Sequence, residues 1–162
     1  LLRQAKTHPE RNYFGVEWAN EFYRHAADRM ARWGMTNVRL MRTDAGGLMK
    51  KHIPAASLSA LHIYHPDPWP KRRHHKRRLF HADFVDAAIR ALKPGGRWAI
   101  QTDHADYFQV IQTLVTARSE LESIEYNDPD FGTIEDRVET NFEIKYIREG
   151  RPIYRLAFRK RV

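Results

Sequence analysis

Four carboxylates stand where short apolar runs end: Glu17 after Tyr-Phe-Gly-Val, Asp44 after Leu-Met-Arg-Thr, Asp67 after His-Ile-Tyr-His-Pro and Asp103 after Ala-Ile-Gln-Thr. An acid after a strand is commonplace, because aspartate caps helices and opens turns, so any one of them alone reads as structural. Four in succession read as a site, since ligands of open α/β sheets bind outside the carboxyl ends of the strands. A carboxylate there can accept from both hydroxyls of a ribose or from the amino group of a base. By position Glu17 suits ribose hydroxyls and Asp44 an adenine edge. Asp67 and Asp103 fall where a reacting group and its acceptor would lie. The pattern leaves the type of reaction open.

The most specific local signal is His65-Pro66-Asp67-Pro68-Trp69-Pro70. Alternating prolines fix φ and push their neighbours toward extended backbone, so the loop is stiff. It can hold Asp67 and Trp69 with little entropy left to lose on binding. The run that follows, Lys71-Arg72-Arg73-His74-His75-Lys76-Arg77-Arg78, carries six Lys/Arg in eight positions, and Arg159-Lys160-Arg161 forms a smaller cluster. In a chain of formal net charge +8, such clustering favours a surface for a polyanion over general solubility. A carboxylate and an aromatic beside phosphate-binding cations suit a nucleobase pocket with an adjoining grip on the backbone. His74 and His75 have no cysteine and no third spaced ligand beside them, so they read as part of the basic surface rather than a metal site.

The elements that must position these residues alternate between strand-like and helical patterns. Strands are expected at 12–18, 37–42, 58–64 and 97–102, with a last one at 153–159 suited to an edge or antiparallel place. Helices are expected at 20–33, with Phe22, Ala26, Met30 and Trp33 on one face, and at 79–92, with Phe80, Phe84, Ala88 and Ala91. Lys93-Pro94-Gly95-Gly96 should end the second, and another should run from Ala105 to about Glu122. The acidic stretch 127–139 reads as a loop. The whole implies an α/β fold, a mostly parallel sheet with helices on both faces, in one domain over 1–162. No apolar run is long enough to span a membrane. The absence of cysteine gives no reason to place the chain outside the cytoplasm.

These residues resemble the tRNA (guanine-N7)-methyltransferases, a family of Rossmann-like class I methyltransferases. Residues 66–78 are similar to that family's PDPWPKxRHxKRR hallmark, and Thr140-Asn141-Phe142-Glu143 to its T-x-F-E element. GVE at 15–17, TDA at 43–45 and TD at 102–103 fall in the matching order. The resemblance implies S-adenosylmethionine as methyl donor and a variable-loop guanosine of tRNA as acceptor. It implies Glu17 and Asp44 at the cofactor, with Asp67 as catalytic acid, also near the cofactor. It implies Lys71, Asp103, Thr140, Asn141, Phe142 and Glu143 at the guanosine. The run supplies Arg72, Arg73, Lys76, Arg77 and Arg78 as expected contacts to the RNA backbone. A monomer or homodimer is expected.

Methyltransferases of this kind open with a strand and a Gly-rich turn around the methionine end of the cofactor, and nothing like it precedes Asn12. Leu1 to Pro9 looks like the helix that would follow. The expectation is that the chain is an N-terminally incomplete piece and binds the cofactor poorly by itself, which isothermal titration checks. Two rival readings stand beside this one. An exocyclic-amine methyltransferase would carry a loop to which Asp67-Pro68-Trp69 is a loose cousin. A noncatalytic RNA-binding module of the same ancestry would keep the basic run without the chemistry.

Overall fold

The computed structural model describes residues 1–127 and 141–162. Two parallel strands, β1 (Tyr13–Glu17) and β2 (Val38–Arg42), form one pair with Glu17 opposite Arg42. The other sheet has the order β3-β4-β6-β5, from β3 (Leu58–Tyr64), β4 (Leu92–Thr102), β5 (Leu121–Ile124) and β6 (Tyr154–Lys160). In it β3 and β4 are parallel, while β6 runs antiparallel to both β4 and β5. The helices are α1 (Leu2–Thr7), α2 (Asn20–Arg32), α3 (Ala45–Lys51), α4 (Ala82–Ala91), α5 (Ala105–Thr116) and α6 (Asn141–Arg148).

β4 is inside the sheet and buried, with Trp98 through Thr102 all at or below 2% exposure. Phe80 stacks on Trp98 at 5.9 Å and meets Phe84 and Tyr107 edge-on. Helix α4 buries Phe84, Val85, Ala88 and Ala91 there, and α5 adds Tyr107, Ile111 and Val115 at helical spacing. The β1–β2 pair is tied to this core through α3. Its Met49 belongs to the same buried cluster, and Lys50 Nζ lies 2.8 Å from Asp83 Oδ2 on α4.

Three expectations need correction. On α2, Ala26 and Met30 pack against Leu2, Ala5 and Val38, but Phe22 and Trp33 are exposed. Lys93–Gly96 does not separate helix from strand. β4 already starts at Leu92, and the register jumps from Leu58↔Leu92 to Ala60↔Arg97, so the Pro-Gly-Gly stretch bulges outward within it. The helix from Ala105 stops at Thr116, and Leu121–Ile124 pairs with β6 instead. That puts β6 inside the sheet, antiparallel as expected but not at an edge. Helix α3 was not legible, because Ala-Gly-Gly has poor helix propensity.

Candidate active site

Each acid occupies the place its strand dictates, but they differ in how much of their chemistry the protein itself consumes. Glu17, half-buried at the end of β1, accepts through Oε1 from Ala19 N at 2.8 Å and so starts α2. Its other oxygen has no partner among the described residues. Trp18, which follows it, is 69% exposed, and its indole is a stacking surface that the sequence reading passed over. Asp44 is the N-cap of α3, accepting from Gly46 N at 3.1 Å and Gly47 N at 2.7 Å. This bond pair is what makes a helix of a Gly-rich start. A Cβ at Gly47 would lie 2.8 Å from Asp44 Oδ2, so a side chain there would displace the cap. Beside it an open hollow of about 590 Å³ is lined by Met41, Thr43, Leu48, Lys51 and His52.

Asp67 is different. It is exposed and makes no hydrogen bond or ion pair among the described residues. The loop that presents it is strained on both sides, with positive φ at His65 (52°) and Trp69 (40°). Non-glycine residues persist in that region only where the surroundings over-determine them. Trp69 is held by the segment after it. Residues Arg72–Arg77 form a 3-10 turn, Arg77 lies over the indole at 5.0 Å and His74 meets it edge-on at 5.9 Å. The ring thus locks the loop to the basic run, with one neighbour already on it. Lys71, Arg72, Arg73, Lys76 and Arg77 are exposed. None of the five pairs with a carboxylate among the described residues, so their charge faces solvent.

Arg78 departs from the expectation of an RNA-backbone contact. Its side chain is 3% exposed and is spent internally, on Asp106 Oδ2 at 2.7 Å, on the Pro68 carbonyl at 2.8 Å and over the Tyr107 ring at 4.7 Å. The Arg78 hydrogen bond holds the Asp106 carboxyl below its ordinary pKa. The smaller terminal cluster is partly internal too. Lys160 donates to the Ile89 and Leu92 carbonyls where α4 ends, and Arg161 to Ser119 O.

The loop after β3 is joined to the end of β4, since His65 N donates to Gln101 O at 2.8 Å. Asp103 is 12% exposed, ion-paired with Arg151, and its Oδ1 lies 3.5 Å from His65 Nδ1. On α6, Phe142 is 41% exposed and edge-on to Phe22 of α2 at 5.9 Å, while its ring centroid is 6.1 Å from that of His65. The helix after Glu17 and the loop before Asp67 thus meet on one side chain. Glu143 is buried, its carboxylate 2.6 Å from Arg155. An expected contact to substrate is here part of an internal ion pair. Thr140 lies outside the described residues, as does the side chain of Asn141. Among the described residues no group of three His, Asp or Glu could hold a metal ion.

His65 and Arg151 are site neighbours that sequence reasoning missed, because neither spacing nor composition brings residue 151 to residue 103. Burial lowers the His65 pKa. The neutral ring is therefore favoured in the fold, and the unfolded chain takes up the proton first as pH falls below about 6.5. Stability from neutral His65 is full above that value and is lost toward acid. Thermal melts at about pH 7.5 and about pH 5.5 should show a larger acid-side loss in the protein than in His65→Phe. Equal losses would contradict this account.

Comparison with other proteins places this geometry. A family model described as "Putative methyltransferase" matches residues 1–156. The fold resembles TrmN from Thermus thermophilus (TM-score 0.63, 17% identity, covering 96% of this chain and 39% of that one). It also resembles an rRNA methylase from Streptococcus thermophilus (TM-score 0.59, 12% identity, 93% and 74% covered). At such identities the likeness speaks for the Rossmann-like methyltransferase fold alone. The tRNA (guanine-N(7)-)-methyltransferase of Alkalilimnicola ehrlichii is 38% identical over 161 residues, 99% of this chain and 68% of the relative. That of Nitrosococcus oceani is 34% identical over 162 residues, 100% of this chain and 67% of the relative. The chain thus spans about two thirds of the length of these relatives. With the family model covering nearly all of it, the chain belongs to the tRNA (guanine-N(7)-)-methyltransferase family.

Proposed function

We propose that this protein methylates N7 of a variable-loop guanosine in tRNA, with Asp67 as the acid at the reacting base. The observation that carries this reading is Asp67 itself: a carboxylate with no partner among the described residues, on a strained proline-fixed loop, four residues before the first of five exposed cations. Backbone strain of this kind clusters at ligand sites. S-adenosylmethionine, when bound, supplies a methyl group already activated on a sulfonium. The residues present fit its adenosine half: Glu17 keeps one carboxylate oxygen open for the ribose hydroxyls, and the exposed Trp18 indole stands beside it.

Guanine N7 carries an available lone pair on its major-groove edge, so no base is needed to unmask it. The protein's contribution is positioning and electrostatics. Methylation leaves positive charge on the purine, and Asp67 opposes it or holds the base edge. Lys71, Arg72, Arg73, Lys76 and Arg77 hold phosphates. Incubating the purified full-length protein with tRNA and S-adenosylmethionine, then digesting with nuclease for mass spectrometry, should yield 7-methylguanosine at one position. A methyl on an exocyclic amine would replace this reading with that of an amine methyltransferase, and binding of tRNA with no methyl transfer would leave an RNA-binding module.

The cations make a separate prediction. Lys76→Gln should reduce the slope of log affinity against log salt by about one, leaving turnover of bound tRNA unchanged. A slope equal to the parent's would show that Lys76 touches no phosphate.

A further inference from the structure

Arg78 ends a basic run in which the other five Lys/Arg face solvent, yet its own side chain is 3% exposed. Burying a guanidinium is costly unless its charge and its donors are all matched. Here the charge and two of the donors are met by groups that belong to the site's scaffold. One side of the match is the reactive loop. Pro66, Pro68 and Pro70 lack N–H groups, so the loop has few donors of its own. Arg78 Nε reaches in from outside and donates to the Pro68 carbonyl, one residue past Asp67.

The other side of the match is α5. Its first turn gives Asp106 to the guanidinium and Tyr107 beneath it. Tyr107 is fully buried, and its hydroxyl accepts from Phe80 N at 3.0 Å, next to the Phe80–Trp98 stack. The strut therefore stands on the hydrophobic core. Helix α5 also opens just after Asp103, so one planar group fixes the Asp67 loop relative to the strand end that carries Asp103.

We infer that Arg78 is a positioning residue for Asp67 rather than a phosphate contact: it clamps the Pro68 carbonyl to α5 and so sets where the Asp67 carboxylate stands. This rests on the reading of Asp67 proposed above. Lysine cannot replace it, because a single ammonium cannot lie flat on Tyr107 while forking between a carbonyl and a carboxylate.

The test compares Arg78→Lys, Asp106→Ala, Asp67→Ala and the Arg78→Lys/Asp67→Ala double variant of the purified enzyme. It reads kcat, KM for tRNA, the salt slope of tRNA binding and the melting temperature. Arg78→Lys should lower kcat about tenfold, with KM for tRNA within about twofold and the salt slope unchanged, since misplacement of a catalytic group acts on the chemical step. Asp106→Ala leaves the buried guanidinium without its carboxylate, so it should lower the melting temperature and, measured well below that temperature, should lower kcat about threefold. With Asp67 already removed, the Arg78→Lys change should cost less than about twofold, because the two residues act through one another.

A salt slope reduced by about one with kcat intact would overturn the inference in favour of a phosphate contact. A kcat loss of the same size in the Asp67→Ala background would overturn it in favour of a general structural role. Asp67→Ala with unchanged kcat would instead sink the reading of Asp67, and this inference with it. That outcome is distinguishable because it appears in the single variant.

Discussion

Replacing Asp67 by alanine should lower kcat about a thousandfold, roughly 4 kcal/mol in the barrier, while tRNA affinity should change less than about twofold. The magnitude is that of removing one preorganised polar group aimed at charge that develops in the transition state. Two observations make the loss specific to chemistry. The carboxylate is exposed and bonded to nothing among the described residues, so its removal opens no cavity and orphans no donor. On the proposed reading the tRNA is held by the cations beside it, not by an anion, and removing a negative charge should not weaken their grip on phosphate. Asp67→Asn keeps the shape and loses the charge, and should fall between, at about a hundredfold. Single-turnover rates with saturating tRNA, set beside filter-binding affinities, separate the two quantities. Equal losses in rate and affinity would mean that Asp67 acts in binding alone.

Much of this was legible in the sequence, for identifiable physical reasons. Strand ends were readable from short runs rich in apolar and aromatic residues between helix and turn signals, and β1, β2 and β3 lie within a residue of where those runs place them. The acids after them follow directly. What was not legible depends on contacts distant in sequence. β5 is four residues of mixed composition following a turn without glycine or proline, and only pairing with β6 makes it a strand. Helix α3 exists because the Asp44 carboxylate binds two glycine amides, so a residue read as a ligand contact serves first as a cap.

The same limit explains Arg78. Within a run of cations a side chain's direction is invisible, and its burial depends on Asp106 and Tyr107, nearly thirty positions away. Composition reports how much charge a segment carries. Which of those charges face a partner is decided by packing.

Glu17 yields the second large effect, on cofactor rather than on rate. One oxygen of its carboxylate is committed to Ala19 N and the other is open, so alanine removes two functions at once: the start of α2 and the acceptor for a ribose. Hydrogen bonds to a charged acceptor contribute about 1.5–3 kcal/mol each, so losing the ribose contacts should weaken S-adenosylmethionine binding about a hundredfold. The two functions are separable with Glu17→Gln. The amide oxygen still accepts from Ala19 N and keeps α2 in place, whereas the amide nitrogen cannot accept from a ribose hydroxyl. Glu17→Gln should therefore melt within a few degrees of the parent and still lose most of the cofactor affinity. Isothermal titration of the full-length protein with S-adenosylmethionine and with adenosine alone should show the same loss for both ligands, since the contact is to the ribose they share. If Glu17→Gln binds both as the parent does while Glu17→Ala does not, Glu17 serves only to hold α2, and the ribose is held elsewhere on the rim.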